Sequence, residues 1–124
     1  MSAIRDVLVV SVPVSDQERA KRFYVDQLGF ELRADNAWGE GMRWIEVAPE
    51  GGTTSMTLVT WFGSMPPGSL NGVVLEVDDV LTAYKELSAR GVDFEGPPEE
   101  QPWGIQAVFR DPDGNGFVLS RASD

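Results

Sequence analysis

The sequence predicts an α+β fold built from two tandem βαβββ units, and three observations support it. Val14, Ser15 and Asp16 open a helical stretch that closes at Leu28, Gly29 and Phe30. Val77, Asp78 and Asp79 open another that closes at Gly91, Val92, Asp93 and Phe94. Asp16 and Asp79 stand 63 residues apart, about half of the 124-residue chain, and at the same spacing Ala48-Pro49-Glu50-Gly51 is answered by Asp111-Pro112-Asp113-Gly114. Similarity at a fixed offset marks a duplicated supersecondary unit.

Each element follows from its local pattern. Val7 to Val14 is a β-branched run suited to a strand buried on both faces. Ser15-Asp16-Gln17-Glu18 matches the S-x-x-E capping box, Ala20, Phe23, Tyr24 and Leu28 share one helical stripe, and Gly29 closes the helix. Strands are expected at Phe30 to Ala34, Met42 to Ala48 and Ser55 to Trp61, separated by turn residues such as Pro49-Glu50-Gly51-Gly52. The second unit repeats the order with a strand at Val73 to Val77 and a helix whose stripe is Val80, Ala83, Tyr84 and Leu87. Strands at Val92 to Phe94, Ile105 to Arg110 and Phe117 to Arg121 complete it. One domain spanning 1–124 is expected, with repeats at about 1–62 and 69–124 joined by the Gly/Pro-rich segment Phe62 to Ser69. A second Pro-bearing loop runs from Pro97 to Gly104.

Composition narrows the function. Twenty acidic against ten basic residues give a net charge of −10, and without a Lys/Arg cluster neither nucleic acid nor an anionic membrane surface is an expected partner. The chain has no Cys and no His, which removes disulfides, thiolate metal sites and a His-activated nucleophile. Val7 to Val14 is too short to span a membrane and lacks a small-residue cleavage site, so a cytoplasmic location is expected.

Val12-Pro13-Val14-Ser15-Asp16 with Phe23-Tyr24 and Leu28-Gly29-Phe30, followed by Glu76-Val77-Asp78-Asp79, Gly91-Val92 and Asp111-Pro112-Asp113-Gly114-Asn115, resembles the glyoxalase, bleomycin-resistance and extradiol-dioxygenase superfamily, also called vicinal oxygen chelate. The resemblance covers essentially the whole chain. It implies paired βαβββ modules, a curled mixed sheet around a cavity, and in the enzymes a divalent metal held by His on a module's first strand and Glu on its last. Carried over residue by residue, those positions fall on Val9, Gly72, Val118 and Thr57. None is a His or carboxylate, so neither metal nor other cofactor is expected. The resemblance then implies the bleomycin-resistance-like branch: small acidic dimers that sequester a cationic or planar drug between aromatic side chains.

Strand alternation sorts the cavity residues. Ile45 and Val47 should face the helix, leaving Met42, Trp44 and Glu46 toward the cavity, and the 63-residue offset pairs Glu46 with Phe109. Thr57 and Trp61 share one face of the fourth strand, while Trp38 and Trp103 precede loop glycines. The expected ligand-binding set is Trp44, Trp61, Glu46, Met42, Trp38, Trp103, Phe109 and Thr57. Any of these tryptophans could equally pack a core, since a large ring with one donor serves both purposes. Ser11, Ser55 and Ser120 have no activating base and no G-x-S-x-G elbow occurs, so serine catalysis is not expected.

Three functions fit this reading. The first is a metal-independent, homodimeric protein that binds a cationic or aromatic small molecule, sequestering an antibiotic or metabolite. The second is a metal-free lyase, isomerase or hydrolase using Glu46, and the third is a non-catalytic interaction scaffold.

Overall fold

A computed structural model describes residues 2–122. The first unit runs β1 (Val9–Pro13), α1 (Gln17–Arg22), β2 (Glu31–Trp38), β3 (Met42–Ala48) and β4 (Ser55–Val59). The second runs β5 (Val73–Val77), α2 (Val80–Ala89), β6 (Asp93–Phe94), β7 (Glu99–Gln101), β8 (Gly104–Arg110) and β9 (Gly116–Arg121). Strand order is β1-β4-β3-β2 in one sheet and β5-β9-β8-β6 in the other, with β7 added on β8. β1 lies parallel to β4 and β5 parallel to β9, and every other pairing is antiparallel. The expected order holds in both units, with β7 as an additional strand inside the Pro97 to Gly104 loop.

The helix starts differ from the expected capping box. Asp16, not Ser15, caps α1 by accepting from the Arg19 backbone N–H at 3.0 Å, and Asp79 does the same for α2 from Thr82 at 3.0 Å. Ser15 is drawn away because its hydroxyl donates to Asp113 at 2.6 Å. A carboxylate at this position also complements the positive end of the helix dipole. Past Arg22, α1 continues as a π-helical stretch over Phe23–Gln27, and Gly29 ends it at φ 78°.

The two units share one core. Val12, Ala20, Phe23, Tyr24, Ile45, Val47, Met56 and Leu58 of the first pack with Val80, Val92, Ala107, Phe109, Phe117 and Leu119 of the second. Aromatic rings join them: Phe23 meets Phe109 at 6.4 Å between centroids and Tyr24 meets Phe117 at 5.9 Å. The helix-side faces of both sheets are therefore turned toward each other with the helices between them. Their outer faces point away from each other.

Sheet register shows that the repeat is not rigid. Ser11 pairs with Thr57 and Thr57 with Glu46; in the second unit Val74 pairs with Val118 and Val118 with Val108. The correspondence is thus Ser11 with Val74, Glu46 with Val108 and Thr57 with Val118, an offset that falls from 63 to 62 to 61. Because strand side chains alternate, each one-residue slip moves the expected partner to the opposite face.

Candidate functional site

The outer face of the first sheet collects most of the expected residues. Ile45, Val47, Met56 and Leu58 lie in the shared core, so alternation turns Met42, Trp44, Glu46, Ser55 and Thr57 outward. On β2, Ala34 pairs with Glu46, Asn36 with Trp44 and Trp38 with Met42, which places Asn36 and Trp38 on the same face. Ser11, Thr57, Glu46 and Ala34 form a row across the four strands.

Two tryptophans dominate this face. Trp38 and Trp44 lie parallel, 8° between planes and 5.8 Å between centroids, in the offset stacking that aromatic quadrupoles favour. Trp44 is half-buried and Trp38 is 54% exposed, leaving a large aromatic surface open to solvent. The Trp44 indole N–H donates to Glu46 Oε1 at 3.1 Å, fixing ring and carboxylate relative to each other.

The β2–β3 hairpin that bears this stack is pinned from behind. Arg43, on the helix side, binds Asp35 through two hydrogen bonds of 2.9 Å each and reaches Glu18 of α1 at 3.0 Å. Lys21 adds a 2.7 Å contact to Asp35, and these two cations hold the Asp35 carboxyl well below the usual carboxylate range. Gln17 supplies a second tie, its side-chain amide donating to the carbonyls of Arg43 at 2.7 Å and Leu58 at 2.8 Å. It bridges β3 and β4 beyond their paired residues.

Four expected residues need separate placement. Phe109 is a correction: it is fully buried on the helix side among Phe23, Phe94 and Phe117, and the slipped register makes Val108 the counterpart of Glu46. Trp61 lies beyond the end of β4 at Val59 and tilts against Phe62 at 6.3 Å, so it belongs to the inter-unit segment instead of the fourth strand. Trp103, 70% exposed, sits on the second unit beside a cleft of about 400 Å³ with Ile105, Leu81 and Arg121. Its indole N–H donates to Gln106 at 2.9 Å. Thr57 is 1% exposed, and its hydroxyl has no hydrogen-bond partner among the described residues.

Asn36 and Ser11 join the site without having been in the expected set. Asn36 was missed because β2 runs four residues further than the apolar pattern suggested; alternation back from Trp38 would have found it. A separate cleft of about 740 Å³ opens on the helix side between the units, lined by Val10, Phe30, Met56, Leu75 and Leu87. Among the expected residues only Phe109 borders it.

The positions where the superfamily's metal ligands would fall carry a poor donor set. Thr57 and Val118 occupy equivalent places in β4 and β9, and with Val9 and Gly72 they offer one hydroxyl and no carboxylate or imidazole. That set does not fit a divalent metal. Among the described residues, no three His, Cys, Asp or Glu side chains converge elsewhere.

The sequence profile of the Glyoxalase/Bleomycin resistance protein/Dioxygenase superfamily matches residues 7–119. The chain belongs to this superfamily. Among members of known structure it is similar to TnmS3, an antibiotic binding protein from Streptomyces sp. CB03234. They share 52% sequence identity and a TM-score of 0.91 over 99% of this chain and 100% of that one. A superfamily protein from Sphaerobacter thermophilus DSM 20745 aligns at 42% identity and TM-score 0.86, covering 96% of this chain and 98% of its own. The uncharacterized protein YetH of Bacillus subtilis (strain 168) is 37% identical over 119 residues, 94% of this chain and 98% of YetH. No helix among the described residues is long and apolar enough to cross a membrane.

Proposed function

We propose that this chain is a metal-independent binding protein for a planar aromatic or cationic small molecule, sequestering an antibiotic or metabolite as a cytoplasmic homodimer. The observation behind this reading is the Trp38–Trp44 stack, which presents an exposed aromatic platform beside the Glu46 carboxylate. A flat ligand laid on such a platform gains apolar burial, and a cationic one gains ring and carboxylate attraction as well. The 52% identity to an antibiotic binding protein over the full chain supports the same reading.

Where the faces point supports the dimer. Since the helix sides share one core, a second copy is what would let the outer faces of two different units close over a common cavity. A two-fold arrangement would bring Trp44 and Glu46 of one chain opposite the Trp103 and Gln106 side of the other. It would also cover the free edges of β1 and β5, which a lone chain leaves unpaired.

The test is tryptophan fluorescence titrated with planar aromatic compounds, alongside sedimentation equilibrium. Saturable quenching without turnover, on a species twice the 13.6 kDa chain mass, is expected. Turnover that disappears in Glu46→Gln points to the enzymatic alternative. A strictly monomeric protein that no compound quenches leaves the interaction scaffold.

A further inference from the structure

β4 carries two buried hydroxyls on its outer face, and only one is satisfied. Ser55, 3% exposed, accepts from Arg33 Nη1 at 3.1 Å. Arg33 is also held by the Gly52 carbonyl at 2.7 Å and by Glu31 at 3.8 Å. Thr57, two residues on and 1% exposed, has no partner for Oγ1 among the described residues. A buried polar atom without a hydrogen bond is costly, and such atoms are uncommon enough to need a reason.

Thr57's cross-strand neighbour is Glu46, and directly opposed residues hold their Cβ atoms about 4.5 to 5.5 Å apart. Glu46 Oε1 accepts from the Trp44 indole N–H; among the described residues Oε2 takes no hydrogen bond and no cation pairs with the carboxylate. Arg43 and Lys21 are committed to Asp35 and Glu18 on the other face. The row therefore holds an unpartnered hydroxyl next to an unpaired carboxylate oxygen, beside the Trp38–Trp44 stack. A group with several N–H donors and a positive charge satisfies both at once, whereas an ether or carbonyl can only take the Thr57 O–H and leaves the carboxylate without a partner.

We infer that Thr57 Oγ1 and the Glu46 carboxylate together form an ammonium-binding anchor, so that the ligand is an aromatic molecule bearing a primary amine. This inference rests on the binding function proposed above and specifies its ligand. Thr57 accepts one N–H and Glu46 another, while the ring lies on the tryptophans.

The test uses two probes of nearly equal shape, pyrenylmethylammonium and ethylpyrene, titrated by tryptophan quenching at neutral pH. Wild type should bind the ammonium about tenfold more tightly, the scale of one hydrogen bond to a charged group. Thr57→Val should lower that preference, the Glu46 carboxylate being left to hold the ammonium alone, and Thr57→Ser should restore it. Because Val replaces an unpartnered hydroxyl with a methyl, ligand-free Thr57→Val should melt no lower than wild type. Equal affinity for both probes in wild type overturns the anchor and leaves aromatic binding intact. So does a Thr57→Val variant that weakens both probes alike or melts well below wild type. Binding of neither probe overturns the anchor together with the function on which it rests.

Discussion

Tyr24 Oη donates to Asp111 Oδ2 at 2.7 Å, joining the end of the first helix to the turn between β8 and β9. Asp111 is 5% exposed and is fully engaged. It accepts from the backbone of Asp113 at 3.0 Å, the backbone of Asn115 at 2.9 Å and the Asn115 amide at 2.8 Å. That amide also reaches the Pro13 carbonyl at the end of β1, at 2.8 Å. A buried carboxylate is tolerable only when its oxygens are satisfied in this way. The network fixes one unit against the other and so sets the direction in which each outer face points.

Tyr24→Phe removes one donor from that carboxylate and should cost about 1.5 to 3 kcal/mol, the range for a hydrogen bond to a charged group. The denaturation midpoint should fall with the slope unchanged. Burial raises the Tyr24 phenol well above its ordinary 10.0. The stabilisation is therefore complete below about pH 10 and is lost as the pH climbs through the folded-state value. In Tyr24→Phe that alkaline loss should shrink, and an unchanged alkaline profile would contradict the assignment.

Gly68 stands where the inter-unit segment meets the same turn. Its φ is +83°, and a Cβ there would lie 2.1 Å from the Asp113 carbonyl oxygen. Gly68→Ala should therefore destabilise by more than about 1 kcal/mol, combining backbone strain with a backbone clash. Gly63 has nothing within 4 Å of its Cβ position and an ordinary φ, so Gly63→Ala should stay within about 0.5 kcal/mol. Equal thermal shifts for the two variants would show that the segment is free to move off the turn.

The Asp35 pair makes the hairpin sensitive to acid. Arg43 and Lys21 depress the Asp35 carboxyl below its ordinary 3.8, so the folded state favours the charged form. This contribution is fully present above about pH 4 to 5 and is lost as the pH falls below 3.8 toward the folded-state value. Asp35→Asn should flatten the acid limb of the stability profile in that window. It should also loosen the Trp38–Trp44 platform, read as a change in near-ultraviolet circular dichroism. An acid limb identical to wild type would place the proton uptake elsewhere.

Much of this was legible in the sequence, and the failures share a physical cause. The repeat set at Asp16 and Asp79 located both helices, because a capping carboxylate and a closing glycine are local requirements written into a few consecutive residues. Ile45 and Val47 marked the helix side of β3 through simple alternation, and with it the outward placement of Trp44 and Glu46. Phe109 failed because a fixed offset cannot register turns that shorten by single residues, and one residue inverts a strand's faces. Trp61 failed at a strand end, where the apolar run continues into the connecting segment. Asp16 caps the helix in place of Ser15, whose hydroxyl is taken by Asp113, a partner 98 residues away in sequence that no local motif announces.

Trp44 offers the sharpest separation of binding from packing. It is half-buried and outside the shared core, whereas Phe109 is fully buried within it. If Trp44 is a stacking wall, Trp44→Ala should weaken pyrenylmethylammonium binding by roughly 1 to 3 kcal/mol, with little change in the ligand-free melting temperature. Phe109→Ala should show the reverse, losing about 3 to 5 kcal/mol of stability as large-to-small core substitutions do. Measuring affinity and melting temperature for both variants decides between the roles. Should Trp44→Ala melt as low as Phe109→Ala while its folded fraction binds the probe normally, the ring is packing and the platform is not where the ligand sits.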